Sequence, residues 1–134
     1  MIVTPLYAGL LALVFLVVSL RVIGHRRATR IDLGDGGDRT LLRHQRIHAN
    51  FAEYVPITLI LMTLAELQGL PAWMLHATGL ALIIGRLTHT HAVGREPEPA
   101  GARVVAMTLT FAALAFAALA VIALSATAML AALR

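Results

Sequence analysis

The residues best suited to chemistry lie in the segment RHQRIHANFAEYVP, where a polar stretch runs into an apolar one. At about 3.6 residues per helical turn, four of its polar side chains fall on one helix face within about a quarter-turn. They are Arg43, Arg46, Asn50 and Glu53. Ionisable groups at membrane depth are costly unless they face a bundle interior, a partner chain or a water-filled cavity. This stripe is therefore the first candidate binding surface.

The elements that position the stripe are predicted to be membrane helices. Hydrophobic residues make up 59% of the 134-residue chain and charged residues only 13%, whereas soluble domains carry about 25% charged residues. The sequence predicts an all-α integral membrane four-helix bundle formed by one domain, residues 1–134. The predicted helices span about residues 5–25, 40–68, 71–91 and 101–133, and each is long enough to cross a hydrocarbon core of about 30 Å.

Charge placement predicts the orientation of these helices. The chain has eleven arginines and no lysine. Ten arginines lie in the loop between the first and second spans, in the loop between the third and fourth, or in the span ends next to these two loops, and the turn joining the second and third spans has none. The positive-inside rule places both Arg-bearing loops in the cytoplasm and both termini outside, in a bacterial inner membrane or its equivalent. Trp73 and Tyr7 are expected in the outer aromatic belt.

Arginines outnumber acids near the cytoplasmic helix ends, where Glu53 is the only acid inside a span. The arginines there are Arg26, Arg27, Arg43, Arg46, Arg86 and Arg103. Because a guanidinium fork holds carboxylates in a bidentate manner, this excess indicates an anionic ligand. Two alternatives remain. One is an interhelical salt bridge made by Glu53, and the other is arginine side chains that reach the lipid headgroups, which fits Arg30, Arg39 and Arg95 well but Arg46 poorly.

Several classes of function are disfavoured by the residue types. The clustering of charge between apolar runs argues against nucleic-acid binding. Cysteine is absent, which excludes thiolate metal sites and a cysteine nucleophile. His89 and His91 have a spacing found in metal sites, but no further ligand is evident, so no metal is predicted. A proton-coupled transporter needs an acid at the membrane centre, and the first, third and fourth spans have none.

The run RxHxNxxEYxP, from Arg46 to Pro56, resembles the second-helix signature of the MAPEG family, the membrane-associated proteins in eicosanoid and glutathione metabolism. RVIGHRRATRI (21–31) is similar to the end of the first helix in its leukotriene synthase members. GRLTHTHAV (85–93), followed by Arg103, is similar to the third-helix end and fourth-helix start of its prostaglandin E synthase members. The resemblance covers essentially the whole chain.

The resemblance implies a homotrimer that binds glutathione, as a co-substrate, between subunits near the cytoplasmic side. The implied ligand-binding residues are Arg26, Arg46, Asn50, Glu53, Tyr54 and His89. Glu53 would take the amino group of glutathione and Arg46 a carboxylate, while Arg103 would be catalytic and stabilise the thiolate. Membrane lipids would surround the trimer, and a small lipophilic electrophile would enter from them.

Departures from the family pattern narrow the expected activity. Ala49 stands where some members carry a second arginine, and Val93 stands where the mammalian synthases have a tyrosine. The sequence therefore favours a general glutathione transferase or peroxidase over a specific eicosanoid synthase. The alternative is a non-enzymatic lipid- or anion-binding membrane scaffold of the same fold.

Overall fold

The computed structural model describes residues 2–133 and folds them into four α-helices. These are α1 (Val3–Thr29), α2 (Arg39–Leu67), α3 (Ala72–Val93) and α4 (Ala102–Ala132). The predicted all-α class and the number of helices are confirmed. Helix α1 continues past its predicted end at residue 25 to Thr29.

The connection between α1 and α2 is held by side chains at both helix ends. Arg30, the residue directly after α1, adopts the left-handed conformation (φ 57°) and donates its backbone N–H to the carbonyl of Arg26. Asp38 caps α2 by accepting from the backbone N–H of Leu41 at 2.9 Å, and its other oxygen lies 3.0 Å from Nε2 of His25. The hydrogen bond with His25 lowers the pKa of Asp38 below its ordinary value, and the hydrogen bond from Leu41 lowers it to a lesser extent.

Helices α2 and α3 form the centre of the bundle. Helix α1 packs on both of them and so does α4, whereas no Cα atoms of α1 and α4 lie within 8 Å of each other in the described part of the chain. The buried core forms three layers along the bundle. Their buried members are Val3, Tyr7, Met62, Leu75 and Ala117, then Leu11, Phe51, Val55, Leu82 and Ala113, and last Val18, Ile47 and Val93.

Three helices, α1, α2 and α4, are long and apolar enough to cross a membrane. Helix α3 is not among these spans, although its 22 residues would extend about 33 Å at about 1.5 Å per residue. It carries buried polar side chains, including those of Arg86 and His89. Large apolar side chains such as Leu13, Leu16 and Leu119 are more than half exposed, as expected for helices solvated by lipid.

Tyr7 does not lie in the outer aromatic belt, so that prediction was wrong. Its side chain is only 4% exposed, in contrast to 67% for Trp73. The Tyr7 hydroxyl donates to the carbonyl of His76 at 3.2 Å, and its ring lies directly against Gly79. A glycine at this point of α3 lets α1 approach closely enough to bury an aromatic ring between the helices.

Replacing Gly79 with alanine is expected to destabilise the protein by about 1–3 kcal/mol, because overpacking forces neighbours out of their preferred positions. A Cβ atom at Gly79 would overlap the Tyr7 ring. The matched control is Gly9→Ala in α1, where nothing lies within 4 Å of an added Cβ. Thermal unfolding in detergent should show a lower Tm for Gly79→Ala and an unchanged or higher Tm for Gly9→Ala. Equal Tm values would contradict the close packing.

Candidate anion-binding cleft

A cleft of about 390 Å³ opens between α2, the C-terminal end of α3 and the start of α4. Its lining is rich in charged and polar side chains from all three helices and from the loop before α4. The polar lining residues are Arg39, Arg43, Arg46, Asn50, Glu53, His89, Glu98 and Arg103. The cleft thus combines guanidinium groups with carboxylates, an arrangement suited to a ligand that carries both charge signs.

The predicted stripe on α2 forms one wall of this cleft. All four of its members line the cavity, which follows from the helical register of an uninterrupted α2. Arg46 and Glu53 are exposed to the cleft, while Asn50 is half-buried at its base. The apolar residues on the same helix, including Phe51 and Val55, point into the bundle core and fix the direction of the stripe.

Arg103 enters the cleft from the first turn of α4 and pairs with an acid of the preceding loop. Its Nε lies 2.9 Å from Oε1 of Glu98, with 54% and 27% of the two side chains exposed. Arg43 donates to the carbonyls of Val93 at 3.1 Å and Arg95 at 3.2 Å. The sequence-based count of acids near the helix ends left out the acids of this loop, and the structure brings Glu98 onto the cleft.

His89 lines the cleft, but two other predicted binding residues lie outside its wall. His89 is 6% exposed, on α3. The Tyr54 ring packs edge-on against Phe111 with ring centres 5.3 Å apart. Arg26 donates to the carbonyls of Ile31 and Asp32, each at 3.1 Å, in the loop after α1. A single protomer therefore brings together Arg46, Asn50, Glu53, His89 and Arg103 without Arg26 and Tyr54.

The sequence analysis grouped Arg86 with the arginines near the helix ends and did not predict its burial. Its side chain is only 1% exposed, so it does not reach the lipid headgroups. One terminal nitrogen donates to Oδ1 of Asn50, and the other donates to Oγ1 of Thr110 at 2.6 Å. A signal was present in the sequence, because an arginine within an apolar segment is expected to serve a function.

A metal site has no support in the part of the chain that the structure describes. Within residues 2–133, no three His, Asp or Glu side chains are close enough together to hold a metal ion. The charged groups of the cleft pair with one another or face its open volume.

Comparison with known proteins decides the family. The model of the MAPEG family matches residues 4–123, which cover all four helices except Val3 and the last part of α4. The chain belongs to the MAPEG family. Among curated MAPEG relatives, this protein is similar to inner membrane protein YecN of Escherichia coli K12, with 42% identity over 87 residues. YecN from Escherichia coli O6:H1, strain CFT073, matches equally well.

The match covers 65% of this MAPEG chain and 66% of each YecN chain, so the chain spans just under two thirds of the length of these relatives. Both relatives are named as inner membrane proteins. Together with the three apolar helices, this similarity shows that the protein is an integral membrane protein.

Proposed function

We propose that this MAPEG protein binds glutathione in the cleft and activates its thiol for attack on lipophilic electrophiles. The single observation that carries the proposal is the convergence of Arg46 and Glu53 from α2 with Arg103 from α4 on one cavity. Glutathione has two carboxylates, one ammonium group and one thiol. Arg46 suits a carboxylate, Glu53 suits the ammonium group, and Arg103 remains for the thiol.

The chemistry requires only a fixed positive charge beside the thiol. A free thiol has a pKa of about 8.5, and only the thiolate is a strong nucleophile. A neighbouring guanidinium group stabilises the thiolate and lowers that pKa. The thiol proton passes to solvent, the sulfur forms a bond to the electrophilic carbon, and the leaving group departs with its electron pair. No protein nucleophile takes part in this step.

The proposal includes a homotrimer with the cleft near the cytoplasmic face. In the protomer, Arg26 and Tyr54 do not line the cleft, and no Cα atoms of α1 and α4 lie within 8 Å of each other in the described part of the chain. A neighbouring subunit would bring its Arg26 to the cleft between subunits. Both Arg-bearing loops would face the cytoplasm, with both termini on the other side. The electrophile would enter from the surrounding lipids between helices.

Calorimetry on the detergent-purified protein tests the proposal. Glutathione should bind with a dissociation constant below the millimolar range, and addition of 1-chloro-2,4-dinitrobenzene should yield the conjugate. The ligand control is ophthalmic acid, in which a methyl group replaces the thiol of glutathione. It should bind without reacting. Absence of heat at millimolar glutathione would overturn the proposal.

A second candidate function, a non-enzymatic scaffold that binds a lipid or another anion, is favoured by one contact. Glu98 lies 2.9 Å from Arg103, so the guanidinium group that would activate a thiol already has a carboxylate partner. A scaffold predicts ligand binding without conjugation and without peroxidase turnover. Conjugate formation that is lost with the cleft variants would reject it.

Replacing Glu98 with glutamine is expected to strengthen glutathione binding about threefold. A half-exposed ion pair contributes little to stability, but the ligand must compete with the Glu98 carboxylate for Arg103. The control is Asp35→Asn, which removes one negative charge from the loop before α2, outside the cleft lining. Calorimetry should show tighter binding for Glu98→Gln alone. Weaker binding would indicate that Glu98 holds the ligand rather than competing with it.

A further inference from the structure

Arg86 is a buried cation without a carboxylate partner. Its side chain is 1% exposed, and among residues 2–133 no carboxylate oxygen lies within ion-pair distance of it. Its contacts are neutral oxygens of Asn50 and Thr110, together with the sulfur of Met107 at 3.5 Å. Its Nε is buried and has no hydrogen-bond partner in the described structure. Because isolated buried charges are strongly disfavoured, the burial of Arg86 without an acid partner requires an explanation.

The partner of Arg86 is a residue of the cleft. Asn50 lines the cavity beside Arg46 and Glu53, and it is the only asparagine of the chain. A guanidinium group only donates hydrogen bonds, so the amide atom that faces Arg86 must be the oxygen. The Asn50 NH2 group is thereby directed away from Arg86. Without Arg86, the amide could rotate and present its oxygen to the cleft instead.

Helix α4 holds Arg86 in place from the other side. The Thr110 hydroxyl is fully buried and donates to the carbonyl of Ala106 at 2.9 Å, which leaves its lone pairs for Arg86. Gly85 permits this contact, because a Cβ there would lie 2.8 Å from Oγ1 of Thr110 and 3.0 Å from the Ala106 carbonyl. The orientation of a cleft residue on α2 thus depends on the close approach of α3 and α4.

We infer that Arg86 is a positioning residue that turns the Asn50 amide so that its NH2 group serves as an anion donor in the cleft. The inference deepens the proposed function and rests on it for the choice of glutathione as ligand. The neutral amide leaves the positive charge of Arg86 uncompensated behind the cleft wall. An anionic group of the ligand then receives a hydrogen bond from Asn50 and the attraction of Arg86 through a medium of low dielectric constant.

Replacing Asn50 with aspartate should affect protein stability and ligand affinity in opposite directions. Aspartate has the same shape, and it would pair with Arg86 and neutralise it. It would also replace a donor with an acceptor at the cleft wall. An Asn50→Asp variant should therefore keep or raise the Tm, since a buried cation gains a counter-charge, yet it should bind anions more weakly. If Asn50 and Arg86 only stabilised the fold, this substitution would not combine an unchanged or higher Tm with weaker anion binding.

The experiment compares wild type, Asn50→Asp and Gln68→Glu in detergent. Gln68→Glu is the matched control, because it adds the same negative charge just after the last residue of α2, far from the cleft. Each protein is titrated with two probes, glutathione and lysophosphatidic acid, and its Tm is measured. We expect Asn50→Asp to weaken binding about tenfold or more, since hydrogen bonds to charged groups are strong, with no loss of Tm. Gln68→Glu should leave both quantities unchanged.

A double-mutant cycle supplies the second test. If Arg86 acts through Asn50, then Asn50→Ala should weaken binding about tenfold in wild type but by less than threefold in an Arg86→Gln background. Arg86→Lys should retain part of the affinity, because its ammonium group also only donates. Additive effects of the two substitutions would overturn the inference, as would a lower Tm of Asn50→Asp.

The two probes separate this inference from the proposed function. Binding of glutathione that is insensitive to Asn50→Asp would reject the role of Arg86 and leave glutathione binding intact. Binding of lysophosphatidic acid alone, weakened by Asn50→Asp, would reject glutathione as ligand and support the role of Arg86. If neither probe binds wild type, both proposals are overturned.

Discussion

Replacing Arg103 with alanine is expected to slow glutathione conjugation by about 10²–10³-fold, with a smaller effect on glutathione affinity. Donors that stabilise a developing negative charge commonly contribute this much to the rate. Arg103 stands at the first turn of α4, and 54% of its side chain is exposed, so the substitution removes charge without opening the core. The effect should appear in kcat, because the thiolate forms after glutathione has bound.

Stopped-flow absorbance at the thiolate band measures this directly. Wild type should form thiolate on mixing with glutathione at neutral pH, and Arg103→Ala should form it only as the pH approaches the ordinary thiol pKa of about 8.5. Arg103→Lys should retain a partial effect because the charge remains. The control is Arg95→Ala, which removes an exposed arginine from the loop before α4, outside the cleft lining. Normal thiolate formation by Arg103→Ala would assign activation to another group.

The helical register of α2 could be predicted from sequence because one uninterrupted helix determines it. Arg46, Asn50 and Glu53 share a face at helical spacing, and their neighbours Phe51 and Val55 are buried by the same periodicity. No tertiary information was needed to place these three residues on one wall. The same reasoning predicted four helices, since each apolar stretch is bounded by charged or turn-forming residues.

The contacts between helices could not be predicted in this way. The burial of Arg86 depends on Gly85, which lets α4 bring Thr110 within 2.6 Å, and no single-helix pattern reveals that approach. Tyr7 was misplaced for the same reason, because Gly79 on another helix creates the space for its ring. The pairing of Glu98 with Arg103 depends on the path of a loop, for which sequence periodicity gives no information.

Replacing Arg46 or Glu53 with alanine is expected to weaken glutathione binding by more than tenfold while leaving the fold intact. Both side chains are exposed to the cleft, and in the described structure neither forms an ion pair. Their charges are therefore available to a ligand. A charge-assisted hydrogen bond contributes about 1.5–3 kcal/mol, which corresponds to a loss of about ten- to a hundredfold.

Ligand fragments show which charge each residue recognises. If Glu53 binds the ammonium group, then glutaryl-cysteinyl-glycine, the glutathione analogue that lacks this group, should bind wild type weakly and should lose little further affinity in Glu53→Ala. The same analogue should remain sensitive to Arg46→Ala, because its carboxylates are intact. Arg39→Ala is the control, since Arg39 lies at the edge of the cleft with 79% of its side chain exposed and pairs with Glu96 at 3.5 Å. Equal sensitivity of both ligands to Glu53→Ala would show that Glu53 does not recognise the amino group.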